Sequence, residues 1–200
     1  MNNDSRGSKA YLSAAGKDWL LRFYDPAVRL LGLDSYYFHL IEFSDFGPHQ
    51  KILDIGCGTG TVGKIIKQAI HEADFTGIDP DPKALAVAKR KLSQYSRVQL
   101  DLGYGNDLPY SDAIFDHVMS SFVIHHLSLA DRIGMLHEVQ RVLKGGSTFC
   151  AVDFDGDGKC GEDKSMSTPD LLLLAGFHSI EVITDNHWLL GKVSFYSASK

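Results

Sequence analysis

The segment Asp54-Ile-Gly56-Cys57-Gly58-Thr-Gly60 carries the chemistry that is easiest to read in this chain. Glycines at alternate positions permit positive φ and let a ligand lie against bare backbone. A second acid, Asp79, follows about twenty residues later, the distance at which such a fold places a ribose acceptor. A carboxylate there accepts hydrogen bonds from both ribose hydroxyls. Together the loop and the acid specify a cofactor that contains adenosine. Cys57 is a small side chain within the loop, and its thiol is assigned no chemistry.

Gly58-x-Gly60-x-x-Gly63 also fits the dinucleotide fingerprint, so an NAD(P)-dependent oxidoreductase is a competing reading. Three features weigh against it. Asp54 stands two residues before the first glycine, where it repels a pyrophosphate and attracts an ammonium or a sulfonium. The loop has one more alternating glycine than that fingerprint needs at its start. The tail of the chain predicts an antiparallel pair, which is foreign to the simple parallel order.

Further along, His125 and His126 stand side by side, and either ring can act as a neutral base near pH 7. The plainer reading is that the pair packs against or caps the helix that follows. Asp153 faces the same rim as a third catalytic candidate, with Tyr24 and Tyr110 behind it.

These residues need elements to hold them. KILDI (51–55) reads as a buried strand, and Val62, Ile65, Ile66, Ala69 and Ile70 form the stripe of a half-buried helix. DFTGID (74–79) is a second strand, and Asp81–Pro82 opens a helix with Leu85, Ala88 and Leu92 inward. Strands follow at 97–101, 114–121 and 147–153, the last two separated by a helix capped by Ser128 and stopped by Gly145–Gly146. Alternation of this kind means parallel βαβ units in a doubly wound α/β sheet. Thr168–Pro169 opens one more helix, ended by Gly176. The strands at 178–184 and 192–198 lie too close for a crossover, so they pair antiparallel. Ahead of the sheet, residues 1–17 are loosely ordered and 18–47 form a helical cap, with Asp25–Pro26 and Asp34 starting its two helices; 48–200 is the cofactor-binding domain. The cap's aromatics, Trp19, Phe23, Tyr24, Tyr36, Tyr37 and Phe38, either form a lid over an apolar acceptor or simply cover the sheet edge.

A net charge of −5 provides no global positive field for nucleic acid. Three widely spaced cysteines (Cys57, Cys150, Cys160) make no disulfide framework, and no run of about 18 apolar residues is present. These features predict a cytoplasmic protein without a membrane span. Asp153-Phe-Asp155-Gly-Asp157-Gly158 imitates the start of a calcium loop, but its twelfth position is Lys164, so no metal site is expected.

ILDIGCGTG, GIDPDP, LPYSDAIFDHV, VIHHL and EVQRVLKGG, in this order over residues 50–198, resemble the motifs of class I S-adenosylmethionine-dependent methyltransferases. Among these the chain is most similar to the ubiquinone/menaquinone-type, small-molecule group. The resemblance implies a seven-stranded, mostly parallel sheet with the last strand reversed. It also implies S-adenosylmethionine as cofactor. Gly56, Cys57, Gly58 and Gly60 would line its methionine and ribose, Asp54 would sit beneath its amino end, and Asp79–Pro80 would hold the ribose. In relatives a Gly-Asp-Ala segment after the third strand touches adenine; here Gly103-Tyr104-Gly105 stands there. Tyr104 would stack on or edge the base, with Asp107 or Asn106 as polar alternatives. Ser120–Ser121 would meet the methionine end. The missing acid also leaves open a non-catalytic partner subunit of the same fold. The acceptor is expected to be a small molecule, because the residues after strand four are Ser-Ser-Phe-Val-Ile-His-His, not the Asn/Asp-Pro-Pro-Tyr of base methylases.

Overall fold

The computed structural model describes residues 31–154, 166–189 and 191–200. A helix, α1 (Asp34–Ser44), precedes the alternating units β1 (Lys51–Ile55), α2 (Thr61–Ala69), β2 (Asp74–Asp79), α3 (Pro82–Leu92) and β3 (Val98–Leu102). Then come β4 (Phe115–Ser121), a 3₁₀ turn (Ile124–His126), α4 (Leu129–Val142), β5 (Leu143–Phe154), α5 (Thr168–Leu174), β6 (His178–His187) and β7 (Gly191–Ser199). The seven strands form one sheet in the order β3-β2-β1-β4-β5-β7-β6. β7 runs antiparallel to both of its neighbours, as the tail spacing predicts. Strand order reverses between β1 and β4, and their carboxyl ends therefore open the crevice where ligands bind in such sheets.

Each face of the sheet carries its own core. Leu53, Ile55 and Val118 pack with Met135, Leu136 and Val139 of α4, while Ile52, Phe75 and Met119 pack with Val62 and Ile66 of α2. Burial on both faces explains why β1, after exposed Lys51, is apolar at Ile52, Leu53 and Ile55. The exception is Asp54, which points to the α2 side. Local chemistry starts the helices. The Asp81 carboxylate accepts from the Lys83 N–H at 2.8 Å, with Pro82 in the first turn. Ser128 accepts from the Asp131 N–H at 3.2 Å, and Ser167 with Asp170 forms a capping box.

Several boundaries differ from the sequence expectation. α1 has Leu33 as its N-cap, with Asp34 inside the first turn, and it ends at Asp45 in the left-handed region, before Gly47–Pro48. Gly145–Gly146 does not stop α4. That helix ends at Val142, and fully buried Leu143 is already extended and paired with Phe115. Burial of this side chain against β4 outweighs one more helical turn, and the glycines fall in β5 near its register shift. The last two strands also extend beyond their predicted limits and meet in a hairpin. The expected helix at Asp25–Pro26 lies outside the described residues, and no described helix is long and apolar enough to cross a membrane.

Candidate active site

The loop after β1 is built by backbone. Gly56, Gly58 and Gly60 all lie at positive φ (74°, 51° and 76°). A Cβ on Gly56 would collide with Val123, and one on Gly60 would come within 3.0 Å of Ala88 Cβ. The Gly56 and Cys57 N–H groups both donate to the Ile78 carbonyl, at 2.8 and 3.1 Å, which ties the loop to β2. Gly63, the third glycine of the competing dinucleotide pattern, has a structural use: a Cβ there would lie 2.5 Å from the Phe75 ring. Cys57 is buried, with its thiol pKa pushed up by burial and by the Asp54 and Asp79 carboxylates, so it has no nucleophilic character. Lys91, which the sequence reading passes over, reaches Thr59 Oγ1 at 3.1 Å and Thr61 Oγ1 at 2.8 Å.

Two carboxylates flank this loop, and they differ. Asp79 accepts from the Gly58 N–H and the Asp81 N–H, both at 2.8 Å, which fixes both of its oxygens while leaving each a free lone pair. Burial still pushes its pKa up. Asp54 is fully buried, and neither of its oxygens has a hydrogen-bond partner. Burial first, and then the Asp79 charge, push its pKa up to about 7. An ionised carboxylate without a donor in such a place is costly. A cation brought alongside it would remove that penalty. The donor set therefore fits an adenosyl ligand with positive charge: free lone pairs on Asp79, bare backbone between, and an uncompensated acid beneath.

Across the crevice, side chains build the rim. Asp153 accepts from the His125 backbone N–H at 3.2 Å and meets His125 Nδ1 at 2.5 Å. With the carboxylate ionised, Nδ1 carries the proton and Nε2 is left as the acceptor. His126 is exposed, its ring stacked 3.8 Å from that of His125. Desolvation and the His125 charge lower the His126 pKa, partly opposed by Asp153. Phe154 packs edge-on to the His125 ring and against Phe122, whose backbone lies at positive φ (54°). Tyr36 and Tyr37 of α1 are buried against Phe122, so part of the expected aromatic cap does reach this rim, while Phe38 is exposed.

The sequence reading misses Arg132. This buried guanidinium donates from Nε to the Ile124 and Leu127 carbonyls, both at 3.1 Å, and so clasps the turn that carries the histidine pair. A charged residue on a helix that reads as surface-facing gives no such signal. Tyr36 is likewise tied by its hydroxyl to Asp185, at 2.7 Å.

Other candidates fall into place around the site. Ser120 is buried and donates to the Ile55 carbonyl at 3.0 Å, so its hydroxyl is already engaged. Pro80 is half-buried between the two acids Asp79 and Asp81. Gly105 packs so tightly that a Cβ would lie 2.7 Å from Ile55 Cγ2. Two further candidates engage partners within the protein. Tyr110 donates to Asp101 at 2.9 Å and packs on Phe115, away from the histidine rim. The Asn106 amide donates to Asp131 of α4 at 2.6 Å. Tyr24 and the acidic turn at 155–164 lie outside the described residues. Among the described residues, no group of three His, Cys, Asp or Glu side chains is placed to hold a metal.

Comparison with known proteins agrees with this geometry. The methyltransferase-domain family profile matches residues 52–146. An uncharacterised methyltransferase of Synechocystis is 36% identical over 118 residues, 58% of this chain and 53% of that protein. The demethylmenaquinone methyltransferase of Thermotoga maritima is 33% identical over 130 residues, 64% of this chain and 55% of that protein. The chain thus spans about half the length of these relatives. In fold it is similar to Haemonchus contortus phosphoethanolamine N-methyltransferase 2, solved with S-adenosyl-L-methionine. The TM-score is 0.80 at 15% identity, covering 96% of this chain and 61% of that one. An S-adenosylmethionine-dependent methyltransferase from Aquifex aeolicus aligns with a TM-score of 0.70 at 17% identity, covering 91% and 97%. Residues 52–146 thus match a methyltransferase domain, and the fold of the chain is similar to that of S-adenosylmethionine-dependent methyltransferases.

Proposed function

We propose that this chain is a cytoplasmic enzyme that transfers a methyl group from S-adenosylmethionine to a small, apolar acceptor, not to nucleic acid. The observation that carries the reading is Asp54: a buried carboxylate with no protein donor, set beside a bare-backbone loop. A pyrophosphate in that loop would meet the same acid with like charge, which disfavours the nicotinamide alternative.

In this reading Gly56, Cys57, Gly58 and Gly60 receive the methionine and ribose portions, Asp79 accepts from the ribose hydroxyls, and Asp54 offsets the ligand's positive charge. Pro80, Tyr104 and Gly105 border the base, and Ser120 supports the methionine end through backbone. Bound S-adenosylmethionine supplies an electrophilic methyl group on a sulfonium. The chain's own contribution is alignment and exclusion of water, from which most of the acceleration of an in-line displacement derives. His125 accepts a proton at Nε2 where the acceptor must lose one, and Asp153 holds its tautomer and offsets the charge it gains. His126 stacks beside it, and the aromatic wall of Phe122, Phe154 and Tyr36 supports an apolar acceptor. The helix α1 contributes Tyr36 to that wall.

Calorimetric titration with S-adenosylhomocysteine and, separately, NADH tests the proposal. S-adenosylhomocysteine binds, and Asp79→Ala weakens it by about 1–3 kcal/mol, because two ribose hydroxyls lose an acceptor. Binding of NADH alone would reverse the assignment, and a folded sample that binds neither is a non-catalytic partner.

A further inference from the structure

Nine large apolar side chains stand exposed among the described residues, and six of them, Leu173, Leu174, Val182, Ile183, Trp188 and Leu189, lie along one edge of the molecule. Strand β6 is that edge. Among the described residues its partner in the sheet is β7 alone, so its other row of N–H and C=O groups faces outward. The strand is open on both faces. Val182 pairs with Tyr196, whose ring belongs to the core on the α4 side, and Ile183 pairs with Phe195 of the opposite core. Both β6 side chains are nevertheless exposed, at 43% and 54%. The helix α5 packs beside the strand on the Val182 side and brings Leu173 and Leu174 to the same edge. Apolar residues on both faces are the pattern of a strand inside a sheet. Soluble proteins ordinarily blunt an edge with Lys, Pro or a bulge. His178–His187 has no Lys or Pro, and its one register shift lies between His178 and Glu181, so Glu181–His187 presents seven regular residues.

A backbone edge of this kind is satisfied by another extended strand. The strand whose chemistry fits it is β6 of a second copy. Two identical strands related by a twofold axis pair antiparallel, with one residue opposite itself. Centred on Thr184, the regular stretches of the two copies overlap in full. Glu181 then lies opposite His187, and Ile183 lies opposite Asp185, whose carboxylate is turned onto the Tyr36 hydroxyl at 2.7 Å. Trp188 falls opposite Ile180, apolar against apolar. Centred one residue earlier, on Ile183, Glu181 and Asp185 would oppose each other twice, and like charges so placed are destabilising. Centred on Val182, only residues 181–183 of the regular stretch overlap. We infer that β6 is a self-docking edge, through which two copies of this chain pair antiparallel about Thr184 into one continuous sheet.

Sedimentation equilibrium of the full chain tests this, with charge exchange at the twofold axis. The native chain should be dimeric at a concentration on the order of 50 μM. Thr184→Lys should weaken self-association by about tenfold or more, because two ammonium groups would face each other across the axis. Thr184→Asp should do the same with two carboxylates. An equimolar mixture of the two variants should restore dimers, now mixed, which a general loss of stability would not do. Unchanged far-ultraviolet circular dichroism of each variant checks its folding. A native chain that is monomeric at that concentration would leave the edge to another segment of the same chain or to an unrelated partner, and would overturn the inference. So would a dimer that both charged variants keep at native strength, or a pair of variants that fail to rescue one another.

Discussion

The two halves of the crevice are made differently. On the β1–β2 side the ligand surface is backbone: three glycines at positive φ, N–H groups tied to Ile78, and two acids within 25 residues of one another in sequence. On the β4–β5 side it is side chains brought from far apart. His125 meets Asp153 across 28 positions, and Tyr36 meets Asp185 across 149. The first half uses steric permission, which few residue types confer, so it tolerates little change. The second half uses packing and hydrogen bonds that many sequences satisfy, so it is where acceptor choice is free to vary.

The sharpest way to divide the halves is His125→Ala. Transfer of labelled methyl from S-adenosylmethionine to a panel of apolar acceptors should fall by about 10²–10⁴-fold where a proton must be removed, while S-adenosylhomocysteine affinity stays within about twofold. A matching loss of cofactor affinity would merge the two halves. Gly56→Ala works in the opposite direction. Its Cβ has no space beside Val123 and its φ is unfavourable for alanine, so cofactor affinity should fall by about 100-fold in calorimetry.

Asp54→Asn should weaken S-adenosylmethionine by roughly 10- to 100-fold through loss of charge complementarity. It should also stabilise the ligand-free fold at pH 8 by on the order of 2 kcal/mol. The sign follows from the pKa that is raised to about 7. The native acid contributes no penalty below its unfolded value, becomes progressively destabilising as pH rises from there towards 7, and the penalty levels off above that, so the advantage of asparagine should vanish near pH 4 in denaturant melts. The same ionisation makes cation binding to the native chain tighter at pH 8 than at pH 6. A flat profile would remove Asp54 from the cofactor site. Arg132→Gln has the smallest expected effect, about 1–2 kcal/mol of stability from two carbonyls left without their donor. Its specific sign is loss of the His125 Nδ1 proton resonance from Asp153 contact in nitrogen-resolved NMR.

The contrast also explains what could be read without coordinates. The alternation of strand and helix, the reversed last strand, the caps at Asp81 and Ser128, and the loop at 56–60 were all legible, because each is dictated by a local period, a cap or a glycine. The helix end at Val142 was not, since the burial of Leu143 against β4 is a tertiary matter that overrides the glycine signal. Of the rim, the histidines were visible as residue types, but their geometry was not, and Arg132 was invisible.

By itself, then, the order of residues determined the doubly wound sheet and the adenosyl-binding loop, since backbone permission is a property of short segments. Tertiary structure alone decided that Asp54 lies buried without a donor, that Asp153 meets His125, and that exposed Leu102 pairs in register with Asp79. Those facts depend on which distant atoms share a space, and solvent exclusion and charge pairing arise only once the chain has closed on itself.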